Sequence, residues 1–155
     1  MSLIRYHDAA SSARFLPHVR HAFPQTPETA DLVAVDWMGR QYLQSGDDMY
    51  LADIGFGEFA ELVTRAEWDA IAHDQPYEAF DGERYDRFAA TGALPDGLAD
   101  TDCVEFTTPL FLGGADDISN MAVVDLDVHW TLGSQIYAQV RDLPPGSPIS
   151  GVQIS

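Results

Sequence analysis

The spacing of apolar residues changes along this chain, and that change limits the folds open to it. Leu32-Val-Ala-Val-Asp-Trp37 is a short β-rich run turned by Gly39. Gln41-Tyr-Leu43 follows, and after the turn Ser45-Gly-Asp-Asp48 comes Met49-Tyr-Leu-Ala52. Short runs joined by tight turns predict an antiparallel meander with a polar face. Further on the period lengthens. Val123, Leu126, Trp130, Gly133, Tyr137 and Val140 recur at alternating steps of three and four. Leu126, Val128, Trp130 and Leu132 also alternate as a strand would, but the longer pattern predicts a helix over 124–141, ended by Pro144-Pro-Gly146.

Between these regions Phe59, Leu62 and Val63 predict a short helix after Gly57. Thr64-Arg-Ala-Glu67 matches a capping box, opening a segment with Trp68, Ile71 and Ala72 on one face. Pro76 starts another helical stretch, which Tyr85, Phe88 and Ala89 continue to Gly92. Residues 91–102 read as a surface loop, and Val104-Glu-Phe-Thr-Thr108 as a strand extended by Pro109-Leu-Phe-Leu112. Near the N-terminus Ser11 or Ser12 caps a helix with Phe15, Val19, Ala22 and Phe23 on one side. Pro17 should kink it, and Pro24 and Pro27 end it. The expected fold is α+β. Residues 1–155 form one domain, a mostly antiparallel sheet of four or five strands with helices packed on one side. Residues 1–27 are its helical N-terminal segment and 30–149 its body.

Charge narrows the partners. The chain has 25 Asp and Glu against 8 Arg, no Lys, and a net charge of −17. With no basic stripe to release counterions, binding to nucleic acid is not expected. Attraction to an anionic membrane fails on the same ground, and no apolar run approaches a membrane span. No signal-peptide core precedes the first charges, so a cytoplasmic location is expected. The first 22 residues run against the trend: Arg5, Arg14, Arg20, His7, His18 and His21 stand beside one acid, Asp8. Such a segment is expected to dock on the acidic body or to present a solvated helix face.

Few motifs carry chemistry. Phe111-Leu-Gly-Gly-Ala-Asp-Asp117 lacks the spacing and the lysine of a phosphate loop, and Gly55-Phe-Gly57 lacks the third glycine of a dinucleotide fingerprint. Asp116, Asp117 and Asn120, joined by Asp125 or Asp127, offer hard oxygens but not the EF-hand order, so turn and capping roles are expected. His18 and His21 share a spacing but have no third ligand nearby. Asp125 stands four residues before His129, a pairing that suits a surface ion pair as well as general-base chemistry. Cys103, the single cysteine, excludes an intrachain disulfide and reads as a small core residue. No metal, cofactor or catalytic residue is assigned.

Val35-Asp-Trp-Met-Gly-Arg-Gln-Tyr42, Pro109-Leu-Phe-Leu-Gly-Gly-Ala-Asp-Asp-Ile-Ser-Asn120, Asp127-Val-His-Trp130, Gln135 and Leu143-Pro-Pro-Gly-Ser-Pro-Ile149 together resemble a bacterial family. It is the family containing the C-terminal domain of type VI secretion immunity proteins, often found beside a GAD-like domain and broadly allied with Smi1/Knr4-like domains. The resemblance covers most of 30–149. It implies a non-enzymatic protein that binds and blocks a cognate bacterial toxin, with motif residues serving the fold. Asp36 and Arg40 then pair around Gly39, Trp37 and Trp130 pack the core, Gly113-Gly114 permits a tight strand exit, and Asn120 ties its loop.

On this reading the acidic surface steers the protein toward the basic, nucleic-acid-facing cleft of a toxin. Aromatic anchors are expected at Tyr50, Phe56, Tyr77 and Phe80. Two other functions remain open at this point: a scaffold or regulatory protein-binding module, and an acid–base hydrolase using paired carboxylates.

Overall fold

The computed structural model describes residues 2–144, 147, 149 and 151. Five strands form an antiparallel sheet in sequence order: β1 (Ile4–Tyr6), β2 (Asp31–Asp36), β3 (Gln41–Ser45), β4 (Asp48–Asp53) and β5 (Glu58–Thr64). Helix α1 (Ala9–Ala22) joins β1 to β2. Helices α2 (Arg65–Asp74), α3 (Pro76–Ala79) and α4 (Gly82–Ala89) follow β5. A separate hairpin of β6 (Asp102–Phe106) and β7 (Met121–Asp125) leads into α5 (Leu126–Val140). The fold is α+β with a five-stranded antiparallel sheet, as the sequence predicts.

The meander forms because its turns suit it. Ser45 pairs with Asp48, leaving a two-residue loop in which Gly46 takes a φ of +60°. That left-handed value is what a tight hairpin requires and what glycine supplies cheaply. Alternation then divides the side chains. Tyr42, Met49 and Leu51 point to a cluster with Trp68, Ala72, Tyr85 and Phe88 of α2 and α4. Leu43, Tyr50 and Ala52 point to the other, with Phe15, Val19 and Trp130 of α1 and α5. The helices therefore occupy both faces of the sheet rather than one, because both sets of alternating positions are apolar enough to need cover.

Three local expectations are corrected. Residues 59–63 are strand, not helix. A bulge sets Leu62 and Val63 together opposite Met49, and both pack toward α2, which gives them a helix-like spacing. The C-terminal helix begins at Leu126, with Asp125 as its N-cap, while Val123 belongs to β7. At the other end, helix α1 is capped by Asp8, and Ser11 completes a reciprocal capping box as its third residue. Pro17 lies inside this helix, which continues unbroken to Ala22. Strand β1 precedes it, so the N-terminal segment contributes to the sheet as well. The predicted stop at Pro144-Pro-Gly146 falls partly on Pro145 and Gly146, outside the described residues. Among the described residues, no helix is long and apolar enough to cross a membrane.

Candidate functional site

The turn between β2 and β3 is the polar centre of the molecule. Asp36 is fully buried. Its Oδ1 accepts from the backbone N–H of Met38 and Arg40, and its Oδ2 from Arg40 Nε at 2.6 Å and Tyr42 Oη at 2.9 Å. Arg40 reaches on to Asp81 at 3.1 Å. Burial opposes the charge on Arg40, but the charges of Asp36, Tyr42, Asp53 and Asp81 together outweigh it, so its pKa stands above the ordinary arginine value. Burial and then the Asp36 charge push the Tyr42 phenol far above its usual range. The expected Asp36–Arg40 pair is thus present and anchored to Asp81, the residue before α4, 41 residues from Arg40 in sequence.

The two tryptophans close this centre from opposite faces. Trp37 Nε1 donates to Phe80 O and Trp130 Nε1 to Gly39 O, each at 2.7 Å. Gly39 has φ +75°, and a β-carbon there would come within 2.8 Å of His129 Cδ2 and 3.1 Å of Cys103 Sγ. His129 does not pair with Asp125, which is occupied in capping α5. It turns inward, Nδ1 meeting Glu105 Oε2 at 2.9 Å. Cys103 is buried, and burial raises its thiol pKa well above the ordinary value. That makes it a poor nucleophile and fits the core role expected of it.

Asp53, also buried, accepts from the N–H groups of Gly55 and Phe56. Burial lifts its pKa to about 6, against the pull of Arg40. Asp36 and Asp53 are the buried carboxylates nearest to a hydrolase-like pair, yet neither lines the roughly 400 Å3 cavity.

That cavity lies between β1, the start of α1, the 99–101 loop and the start of α5, and Arg5, His7, Ser11, Arg14, Asp100 and Asp127 help line it. Its polar groups are spent on the fold. Arg5 donates to the carbonyls of Ala99, Asp100 and Asp102, and Arg14 pairs with Asp127. His7 sits between Ser11 Oγ at 2.9 Å and Gln41 Oε1 at 2.7 Å, its pKa lowered chiefly by burial. Arg5 and Arg14 thereby fasten the basic N-terminal segment to the acidic body.

The acidic loop 116–120 disperses its ligands. Asp116 pairs with Arg84, Asp117 with Ser119, and Asn120 clamps the backbone of Thr108 and Ala115. Gly114 is required here, since a β-carbon would fall 1.9 Å from Thr108 O. Among the described residues, no three His, Cys, Asp or Glu side chains are grouped as metal ligands.

The four aromatic residues proposed as anchors part company. Phe80 is 1% exposed, packed on Tyr42 and Trp68 in the core, so it presents no surface. Phe56 is half-buried against Phe106, and Tyr50 stacks on Phe59 along the sheet. Tyr77 alone of the four is open, 46% exposed, with Oη donating to Asp86 at 2.7 Å. The hydrogen bond to Asp86, then partial loss of solvent, then the neighbouring charges of Asp86, Glu83 and Glu78 raise its phenol pKa. Sequence reasoning missed the support of this ring by Gly82, although a glycine inside the helical stretch expected from Pro76 to Gly92 is a visible oddity.

Neither a protein-family model nor a curated protein matches the chain. A solved structure, that of Atu4351 from Agrobacterium tumefaciens, shares the fold. It is 17% identical, with a TM-score of 0.56, over 86% of this chain and 67% of that one.

Proposed function

We propose that this chain is a non-enzymatic, immunity-type protein that binds and neutralises a cognate bacterial toxin in the cytoplasm. The toxin is a nucleic-acid-directed one with a basic surface, and the mode is electrostatically guided occlusion. The observation that carries this reading is Tyr77, an exposed aromatic ring bordered by Glu78, Glu83 and Asp86 in a chain of net charge −17. Aromatic rings dominate protein interfaces energetically, and a surrounding field of one sign speeds encounter with an oppositely charged partner. The resemblance of residues 35–42 and 109–120 to type VI immunity domains gives the same expectation.

The test is capture by the tagged protein from its own host at low and moderate salt, read by mass spectrometry. Recovery of one stoichiometric basic protein is expected, with association slowing markedly between ~0.05 and ~0.5 M salt. Recovery of several unrelated housekeeping proteins would replace this reading with a scaffold role.

A further inference from the structure

We propose that the outer edge of β5 accepts an added antiparallel strand from a basic partner; this deepens the protein-binding reading above and rests on it. Strand β5 is the longest of the sheet and pairs only with β4. An antiparallel strand with one neighbour aims alternate N–H and C=O groups away from it. Among the described residues, no hydrogen bond reaches the main chain of residues 58–63 from any element but β4. No residue of β5 is fully buried, and Glu58 and Glu61 are exposed. The opposite edge differs: β1 is three residues long, and Arg5 fastens the 99–102 loop beside it.

The open edge is also selective. Glu58 and Glu61 flank its regular stretch, and the bulge at Leu62–Val63 ends it. Glu58 and Glu61 lie on opposite faces of the strand, and a second copy paired antiparallel along the same edge would bring its own Glu58 and Glu61 onto those same two faces, which repels. A neutral strand gains nothing from these carboxylates and has another free edge at β7, where Met121–Val124 carries no charge. An extended segment with arginine or lysine three positions apart, one on each face, gains at β5 what the others lose. Repulsion of the wrong partner and attraction of the right one come from the same two side chains. Main-chain hydrogen bonds would supply affinity and the glutamates the choice of partner.

The probe is a short, end-blocked valine-rich peptide with two arginines three positions apart, compared with the same peptide N-methylated on alternate amides. Both carry equal charge, but the second cannot complete a strand ladder. Titration into the isotopically labelled full chain should move the amide resonances of Glu58–Glu61. The methylated peptide should bind about tenfold more weakly. A Glu58→Arg/Glu61→Arg double substitution should abolish binding while leaving the circular dichroism spectrum unchanged. Equal affinity for the two peptides overturns strand addition, as do shifts confined to β7 or to α3 and α4, or no binding at ~1 mM. Equal, salt-sensitive binding of both removes strand addition and leaves charge-guided toxin binding standing. Strand addition without capture of a basic host protein removes the toxin reading alone.

Discussion

The ring of Tyr77 lies directly on the bare Cα of Gly82. A β-carbon there would come within 2.1 Å of Tyr77 Cδ2, so α4 opens with the one residue that leaves room for the ring. Gly82→Ala must lift the ring and break its bond to Asp86. The expected sign is a fall of the Tyr77 phenol toward its usual pKa, read as a difference titration against Tyr77→Phe. Stability should change by less than about 1 kcal/mol, because alanine's helix preference offsets the lost contact. An unchanged titration would mean that the ring does not rest on residue 82. Loss of toxin binding in a normally stable Gly82→Ala protein is the matching functional outcome.

Asp36 holds four donors at the centre of the fold, two of them on Arg40, whose side chain is largely buried. Asp36→Asn keeps the shape and removes the nearest counter-charge, leaving the guanidinium with the half-exposed Asp81 as its remaining ion-pair partner. The expected loss is about 3–5 kcal/mol in urea unfolding, a large share of a small domain's stability. Tyr42→Phe deletes one donor to the same carboxylate and should cost less, about 1.5–3 kcal/mol. The reverse order would show that Asp81 suffices to hold the arginine's charge.

Gly39 couples the Asp36 turn to α5. Alanine at this position meets two separable penalties: a left-handed φ of +75° and contact with His129 and Cys103. Together they should destabilise by about 2–4 kcal/mol. In a His129→Ala background the steric part is relieved and the backbone part persists, so the two substitutions should be non-additive in a double-mutant cycle. Strict additivity would place the whole cost in the backbone.

The parts legible in the sequence are those whose local and tertiary preferences agree. The β2–β4 meander announces itself through alternation and Gly46, and the start of α2 through the Thr64 side chain capping Glu67 N–H, while the Asp36–Arg40 pair is expected only from the family resemblance. The failures have specific causes. The bulge at Leu62–Val63 breaks the period of two where it was needed to reveal β5. The step from Val123 to Leu126 mimics a helical turn but crosses a strand-to-helix junction with no loop between. His129 chose Glu105, a partner brought in by β6, over Asp125 four residues away, which capping had already engaged. The two glutamates of β5 carry no signal of their own in the sequence, because strand order, which makes that edge terminal, is a tertiary fact.

Asp53 makes stability depend on pH with a sign that can be fixed in advance. Its pKa rises from an ordinary 3.8 to about 6 on folding, through burial first of all. The folded state therefore prefers the protonated acid. The resulting stabilisation is complete below pH 3.8 and is lost as pH climbs through 6. The loss over that window is on the order of 3 kcal/mol. His7, lowered mainly by burial, works the other way: its contribution is present above its unfolded value of 6.5 and fades as pH falls through its lower folded pKa. The two overlap in the wild type, so the Asp53 part must be read as a difference. Asp53→Asn keeps an oxygen to accept from Gly55 and Phe56 but cannot ionise. Its stability relative to wild type should rise steadily between about pH 4 and pH 6 and then level off, measured by urea midpoints at matched ionic strength. A flat difference across that range would mean that the Asp53 carboxyl titrates alike in the folded and unfolded chains.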